Sequence, residues 1–546
     1  MNQDSPSSPI AAAAEVRSPA GVSRAPWRRA ALWLAVPAYI LTRVYLCFFF
    51  AAGATDLRVY FEYVVQGVDF GLTPYQLPPP VPEGGFPTRE EWSRLRYYSQ
   101  KIENLEYPPV AYWLCEVPRR LSSERMPRNA EGFPQTKFSS DDPDAEVKLQ
   151  SEKDGMYLGT IYRQSLEYGK RYRVFMLLFD VGAFACFCAI LRRRRPDVLV
   201  AGMWAYTVST ALLFYVLLER FDVVLTFTLL AWAYCWLRAG EPGARASAWS
   251  AAAYTWLGLG ISVKLIPVIL VPYALLCDFY TMLRPPRRWS LLPASLLGPV
   301  LMVVAAGAPF AYYYAIVGDD LWRMFRFHTE RGVQIESSYA TILMLTRPAH
   351  ELLCYYGYGS WNIIGPWSAQ LLAASMWVLL AALAGLGLRS LIAPLLGERY
   401  DRVASFRMAC VVIPVATLLA KVFSVQYLLW AVPLLLLGCA ELFSRRGFLT
   451  AAVLVVVACG FTSYLYPYHY LDFMNLRDGR PNLIVTEEID PTNLPPNELP
   501  PGTPIGLLST DLPRTVLILR NVIFGGLCAA LYIAAMKREK RTDLTS

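Results

Sequence analysis

The sequence predicts an all-α polytopic membrane protein of about twelve transmembrane helices, with both termini cytoplasmic and large extracytoplasmic loops. Three observations lead there. Of 546 residues, 55% are hydrophobic and only 17% charged, where a soluble domain carries about 25% charge. The mean hydropathy of +0.33 over this length exceeds what one buried core supplies. The apolar residues fall in runs long enough for helices to cross the hydrocarbon, where only a helix satisfies its own backbone groups.

Those runs lie near 30–52, 172–191, 198–218, 223–237, 246–263, 265–280, 291–314, 363–388, 408–419, 422–442, 448–466 and 515–536. Residues 1–29, rich in Ala, Ser, Pro and Arg, read as a disordered cytoplasmic tail. Ala52-Gly53-Ala54 imitates a signal-peptidase site, but the preceding run is too long for a signal peptide and reads as an uncleaved first helix.

Basic residues fix the orientation, because short cytoplasmic loops collect Lys and Arg. Arg24, Arg28 and Arg29 precede the first run, and RRRRPD (192–197) follows the second. RAGEPGAR, RPPRR, LGERYDR and SRR follow the fourth, sixth, eighth and tenth, and KREKR follows the last. Alternate loops are therefore short and basic. The net charge of +8 marks a membrane face and is no nucleic-acid signal. The other face carries loops 53–171 and 317–362 within a membrane core of 30–466, then a Pro-rich loop, 467–514. Residues 515–546 supply the last helix and a basic tail. The chain ends in TDLTS, with no ER-retention tetrapeptide, so the expected home is a bacterial plasma membrane.

No P-loop or Rossmann fingerprint is present, and no cytoplasmic loop is large enough for a nucleotide-binding fold. GYGS (357–360) follows no predicted strand and reads as a turn signal. The 11 cysteines lie mostly in apolar runs without metal-ligand spacing. No acidic cluster resembles a metal cage, so no metal and no cofactor is expected. Group transfer on the outer face would then need a donor without a nucleotide, most simply a lipid-linked one.

Polar residues gather at that outer face. Asp56 and Glu62 follow the first run, with Tyr60 and Tyr63 beside them and Tyr107 further along the loop. Arg220 and Asp222 stand at the turn ERFD, and Lys264 at the apex of ISVKLIP. His328, Arg331, Gln334 and Glu336 lie in FHTERGVQIESS, and Lys421 and Gln426 in AKVFSVQYLL. Charges flanking apolar helices are costly and are functional candidates by default. Structural readings stand beside these. Lys264 and Lys421 fit lysines snorkelling to headgroups, ERFD fits a salt-bridged turn, and the Tyr and Trp residues fit an interfacial belt. Arg43 and Asp180 lie roughly 12–15 Å inside their helices and read as a structural ion pair.

Transfer from a lipid-phosphate sugar needs a carboxylate to take the acceptor proton, and cations to hold the departing phosphate. Asp56 suits the first role and Lys264, Arg331, His328 and Lys421 the second. Glu62, Tyr60, Tyr63, Tyr107, Arg220, Asp222, Gln334, Glu336 and Gln426 are the candidate substrate contacts. The rival class is a secondary transporter or lipid flippase. Against it, the two halves show no similarity, and the charges lie at outer ends where transporters place theirs near the midplane.

The runs TDLRVYFEYVVQGVDFGLTPY, EYPPVAYWL, ERFDVVLTF, GISVKLIPVILVPY, RFHTERGVQIESS and KVFSVQYLLWAVPL together resemble glycosyltransferase family 87 over about 30–440. The resemblance implies a GT-C bundle and a polyprenyl-phosphate-mannose donor. It also implies an extracytoplasmic glycan or glycolipid acceptor, inversion at the sugar, and an acidic base in the first outer loop, which falls on Asp56. Where the family often shows Ser-Pro-Gln-Tyr, this chain has Ser424-Val425-Gln426-Tyr427, and its outer stretches 78–105 and 119–170 are longer than the family's. Another GT-C branch, or a ligase moving a whole glycan, remains open.

Overall fold

The computed structural model describes residues 26–50, 55–69, 73–75, 107–124, 143–241, 245–283, 292–325, 329–357, 360–470, 476–477, 480–481, 505–507 and 512–537. Among the described residues each apolar run of the sequence holds a helix, although the runs 363–388 and 422–442 begin outside one. Helix α1 (Pro26–Val44) continues as a π-turn, Tyr45–Phe49. Helices α2 (Thr55–Val64) and α3 (Pro109–Arg120) belong to the segment read from sequence as the first loop, 53–171. Helix α4 (Pro143–Arg194) is 52 residues long, so its N-terminal part lies in what reads from sequence as loop. Then follow α5 (Leu199–Leu212), α6 (Asp222–Ala239), α7 (Ala246–Val263), α8 (Val271–Leu283) and α9 (Leu292–Val317). Past the segment 317–362 and its helix α10 (Ser338–Thr346) come α11 (Ser368–Ile392), α12 (Arg402–Leu419), α13 (Tyr427–Leu442), α14 (Arg445–Ser463) and α15 (Leu512–Met536).

Among the described residues, eight helices are long and apolar enough to cross a membrane, and Leu34–Phe49, Leu199–Leu212 and Tyr427–Leu442 are shorter apolar helices. The chain is therefore a multi-pass, helical membrane protein. Local chemistry sets several helix starts. Asp401 accepts hydrogen bonds from the amides of Val403 and Ala404, and Ser444 and Ser337 cap α14 and α10 in the same way. Helices α6, α12 and α13 are the most buried, while α9 and α11 turn most of their surface outward. Gly258 lets α7 approach α9, since a Cβ there would run into the Met302 carbonyl.

Two ends of the bundle are chemically distinct. At one, Arg194 and Arg407 share Glu441, at 2.9 and 3.1 Å, and Arg402 meets Asp278 at 3.0 Å. These are the helix ends beside the short basic loops. At the other end lie Asp222, Lys264, Arg331, Gln334, Glu336 and Lys421 and a small sheet.

That sheet departs from the all-α expectation. Strands β1 (Val333–Gln334), β2 (Leu353–Gly357) and β3 (Ser360–Ile364) join β6 (Ile505–Leu507) in the order β1-β3-β2-β6. Strands β4 (Leu476–Arg477) and β5 (Arg480–Pro481) form a separate pair. The reading of GYGS as following no strand is corrected: Gly357 ends β2 and pairs with Ser360 at the start of β3, while 358–359 lie outside the described residues. The pairing of Leu353 with Leu507 ties the segment 317–362 to the segment 467–514. Val333, Ile335, Leu343, Cys354 and Ile363 pack with Leu465, Val516 and Leu517 into a second apolar core above the helices.

Candidate functional site

The expected deep ion pair is present. Arg43 Nε donates to Asp180 Oδ2 at 2.8 Å, and the hydroxyls of Tyr39 and Tyr206 donate to the same carboxylate at 2.6 and 3.1 Å. Arg43 also donates to Thr210 Oγ1 at 2.5 Å. Both charged side chains are fully buried, and each has several partners. This is the arrangement in which a buried pair is tolerated.

Asp56 lies in the first turn of α2 and not in a loop. A carboxylate is favoured there by the helix dipole. Of Asp56 and Glu62 the structure describes the helix positions only, and His328 lies outside the described residues. Position 56 is one turn before Tyr60 on the same helix face. The Tyr60 ring lies 5.8 Å from Phe221, 5.8 Å from Tyr172 and 5.7 Å from Tyr107, so α2 turns this face toward the ERFD turn.

The same contacts correct the role of Tyr60. It is 1% exposed with neighbours around its ring, so it is a packing residue and no open platform for a sugar. Tyr107 is half-buried, edge-on to Phe221 at 4.8 Å, and its carbonyl accepts from the Tyr75 hydroxyl at 2.7 Å. Tyr63 is half-buried.

Asp222 and Lys264 meet where the start of α6 comes beside the end of α7. Lys264 Nζ donates to Asp222 Oδ1 at 2.8 Å, and Trp430 Nε1 donates to the same oxygen at 3.0 Å. The ammonium also lies 4.7 Å from the Tyr427 ring centre, a cation–π distance. Lys264 is therefore no snorkelling lysine. The stretch 421–427, which supplies Tyr427, supplies the next cation too. Lys421 Nζ donates to the carbonyls of Arg331 and Thr329 at 2.8 and 3.1 Å. Burial, helped by the nearby Arg331 charge, pushes the Lys421 ammonium below its ordinary pKa. Arg331 itself is buried. Gln426 is half-buried just before α13.

A third group centres on Glu336. Gln334 Nε2 donates to Glu336 Oε2 at 3.1 Å and to Ser424 Oγ at 2.7 Å, and Gln334 Oε1 accepts from the Phe423 amide at 2.7 Å. Arg520 approaches Glu336 Oε1 at 3.6 Å, and the Tyr470 hydroxyl lies 3.5 Å from Oε2. Burial lifts the Glu336 carboxyl to about 7, against the opposing pull of Arg520, then of Arg220 and the Tyr470 hydrogen bond.

Arg520, Asn521, Ser424 and Trp430 are missing from the candidates that sequence supplies. For Arg520 and Asn521 the signal was present, a guanidinium beside an amide inside the apolar run LILRNVIF. Nothing in the sequence marks Trp430 as the partner of Asp222. Among the described residues no group of three or more His, Cys, Asp and Glu side chains is placed to hold a metal. An apolar groove of about 470 Å³, lined by Leu41, Thr42, Tyr45, Leu46, Phe50, Ala211, Phe214 and Tyr468, opens beside the C-terminal end of α1.

Comparison with protein-family models, with curated proteins and with solved structures yields no match.

Proposed function

We propose that this chain is a membrane hexosyltransferase that moves mannose from a polyprenyl-phosphate donor to a glycan or glycolipid acceptor. In this reading it works outside the plasma membrane of a bacterium, as a bundle of about twelve spans with both termini inside. The observation that carries the reading is the common neighbourhood of Lys264, Arg331 and Lys421. Lys264 lies against Tyr427, and Lys421 holds the Arg331 carbonyl. The stretch 421–427 thus meets Lys264 through Tyr427 and the backbone of 329–331 through Lys421, and α2 meets the ERFD turn through Tyr60 and Phe221.

The chemistry is a single displacement. The Asp56 carboxylate takes the proton of an acceptor hydroxyl, and that oxygen bonds to the anomeric carbon from the side opposite the phosphate. The bond from carbon to phosphate oxygen breaks. Polyprenyl phosphate leaves with the electron pair, and its charge is met by Lys264, Arg331 and Lys421. Attack from the far side inverts the sugar.

The test is a membrane assay with radiolabelled polyprenyl-phosphate mannose, followed by identification of the labelled product. Label transferred only when the chain is present supports the reading. Unchanged donor, combined with transbilayer movement of polyprenyl phosphate in vesicles holding the chain, would replace it with the flippase reading.

A further inference from the structure

The stretch 329–337 is strapped at both ends by cations from other parts of the chain. At its start, Lys421 Nζ holds the carbonyls of Thr329 and Arg331, and the Gln334 amide donates to the Lys421 carbonyl at 3.1 Å. At its end stands Arg520 of α15, 1% exposed in an otherwise apolar stretch. Arg520 Nη2 donates to the main-chain oxygen of Glu336 at 2.7 Å, and Nη1 lies 3.6 Å from the Glu336 carboxylate. The guanidinium is seated over the Phe423 ring at 4.6 Å, and Nε and Nη2 donate to Asn521 Oδ1 at 2.9 and 2.7 Å. Asn521 completes the strap. Its Nδ2 donates to the carbonyl oxygens of Glu336 and Ser337, at 3.0 and 3.3 Å, and to Thr341 Oγ1 at 2.6 Å.

A charge inside an apolar helix is costly and needs a reason. A purely structural clamp could be built from Asn521 alone, which reaches the same carbonyl without a charge. What Arg520 adds is a fork aimed at both the main chain and the carboxylate of Glu336. Glu336 lies five residues after Arg331 in the strapped stretch.

We propose that Arg520 is a positioning residue for the transfer reaction: by fixing Glu336 it sets where the 329–337 stretch carries Arg331 against the donor phosphate. The proposal rests on the transferase reading and extends it to a residue that touches no reacting atom. Glu336 is the coupling group. It faces Arg520 from α15, Arg220 from the turn before α6, Tyr470 after α14, and Gln334 from its own stretch. With Glu336 ionised, the fork has its partner. With Glu336 protonated, the grip weakens and Arg331 is less well placed. Donor use therefore falls as Glu336 takes up its proton.

The experiment measures donor KM, kcat and their pH dependence for the full chain in detergent or nanodiscs, with the variants Arg520→Gln, Arg520→Lys and Asn521→Ala. Arg520→Gln is expected to raise donor KM on the order of tenfold while kcat stays within about threefold. It should also move the acidic limb of the kcat/KM profile to higher pH, because the charge that favours ionised Glu336 is gone. Arg520→Lys keeps the charge without the fork, so it should keep the limb near its original pH and recover part of the KM. Asn521→Ala should loosen the stretch without moving the limb. If Arg520→Gln does not fold, Arg520→Lys still decides, because loss of the fork should leave its donor KM above that of the parent. KM and acidic limb unchanged in every folded Arg520 variant overturn the proposal and leave the transferase reading standing. A parent without turnover overturns both. A loss of kcat with KM and limb unchanged also overturns it, since that is what a merely structural role predicts.

Discussion

Lys264 and Asp222 face each other at 2.8 Å where the end of α7 comes beside the start of α6, and Trp430 donates to the same carboxylate oxygen. Asp222 is 2% exposed, so its charge depends on these two donors. Removing only the lysine leaves a buried carboxylate without its cation, which typically costs about 3–5 kcal/mol. Lys264→Met should lower the melting temperature of the purified protein markedly, and Lys264→Met with Asp222→Leu should recover much of the loss. A double variant no more stable than the single one would show that the pair is not the source. The pairing also bears on phosphate binding. Asp222 already answers part of the Lys264 charge, so Lys264→Gln should weaken donor binding less than Arg331→Gln does, read as donor KM in the two folded variants.

Glu336 gives a pH prediction for stability. Burial raises its folded pKa to about 7, above the ordinary 4.5, so between these values the folded state binds more protons than the unfolded one. Stability contributed at this site is therefore lost as pH rises through that window, and the full penalty is present above pH 7. The melting temperature should fall between pH 5 and pH 8, and Glu336→Gln should flatten that slope. A slope unchanged in Glu336→Gln would assign it to other groups.

The deep pair behaves differently, because its partners are fixed inside the bundle. Asp180 accepts from Arg43, Tyr39 and Tyr206 at once. Asp180→Asn keeps the shape but removes the charge that answers Arg43, at a cost of about 3–5 kcal/mol. Thermal unfolding should detect it, while donor KM in the remaining folded protein should stay near the parent value.

The helices were legible because lipid imposes a simple rule, long apolar runs separated by charge, and the run 246–263 coincides with α7. The sheet was not legible. Its strands are two to five residues long and pair across two outer segments, so period-2 patterning had little length in which to appear. Among the site residues, Lys264 and Asp222 stood out as charges between apolar helices, and their pairing with each other follows from the helix ends meeting. Arg520 passed unnoticed because the apolar residues around it dominate the run. Tyr60 was misread because an aromatic beside an outer turn looks alike from sequence whether its ring is open or packed. Only the neighbours from α4 and the ERFD turn decide.

Asp56 is where the transferase reading is most exposed to test. Its position in the first turn of α2 makes a carboxylate locally favourable, so a structural role competes directly with catalysis. The two roles part in one substitution. Asp56→Asn keeps the size and most hydrogen bonding of the side chain but cannot accept a proton. A structural carboxylate at a helix start is worth about 1 kcal/mol or less, so its loss would nudge the melting temperature and leave turnover nearly intact. A general base lost in this way lowers kcat on the order of a hundredfold or more, with donor binding preserved. The expected result is the second, with polyprenyl phosphate still bound by the folded variant. If Asp56→Asn turns over within a few-fold of the parent, the base lies elsewhere. Glu62, further along α2, is then the residue to replace next, and the same comparison of kcat with donor binding applies to it.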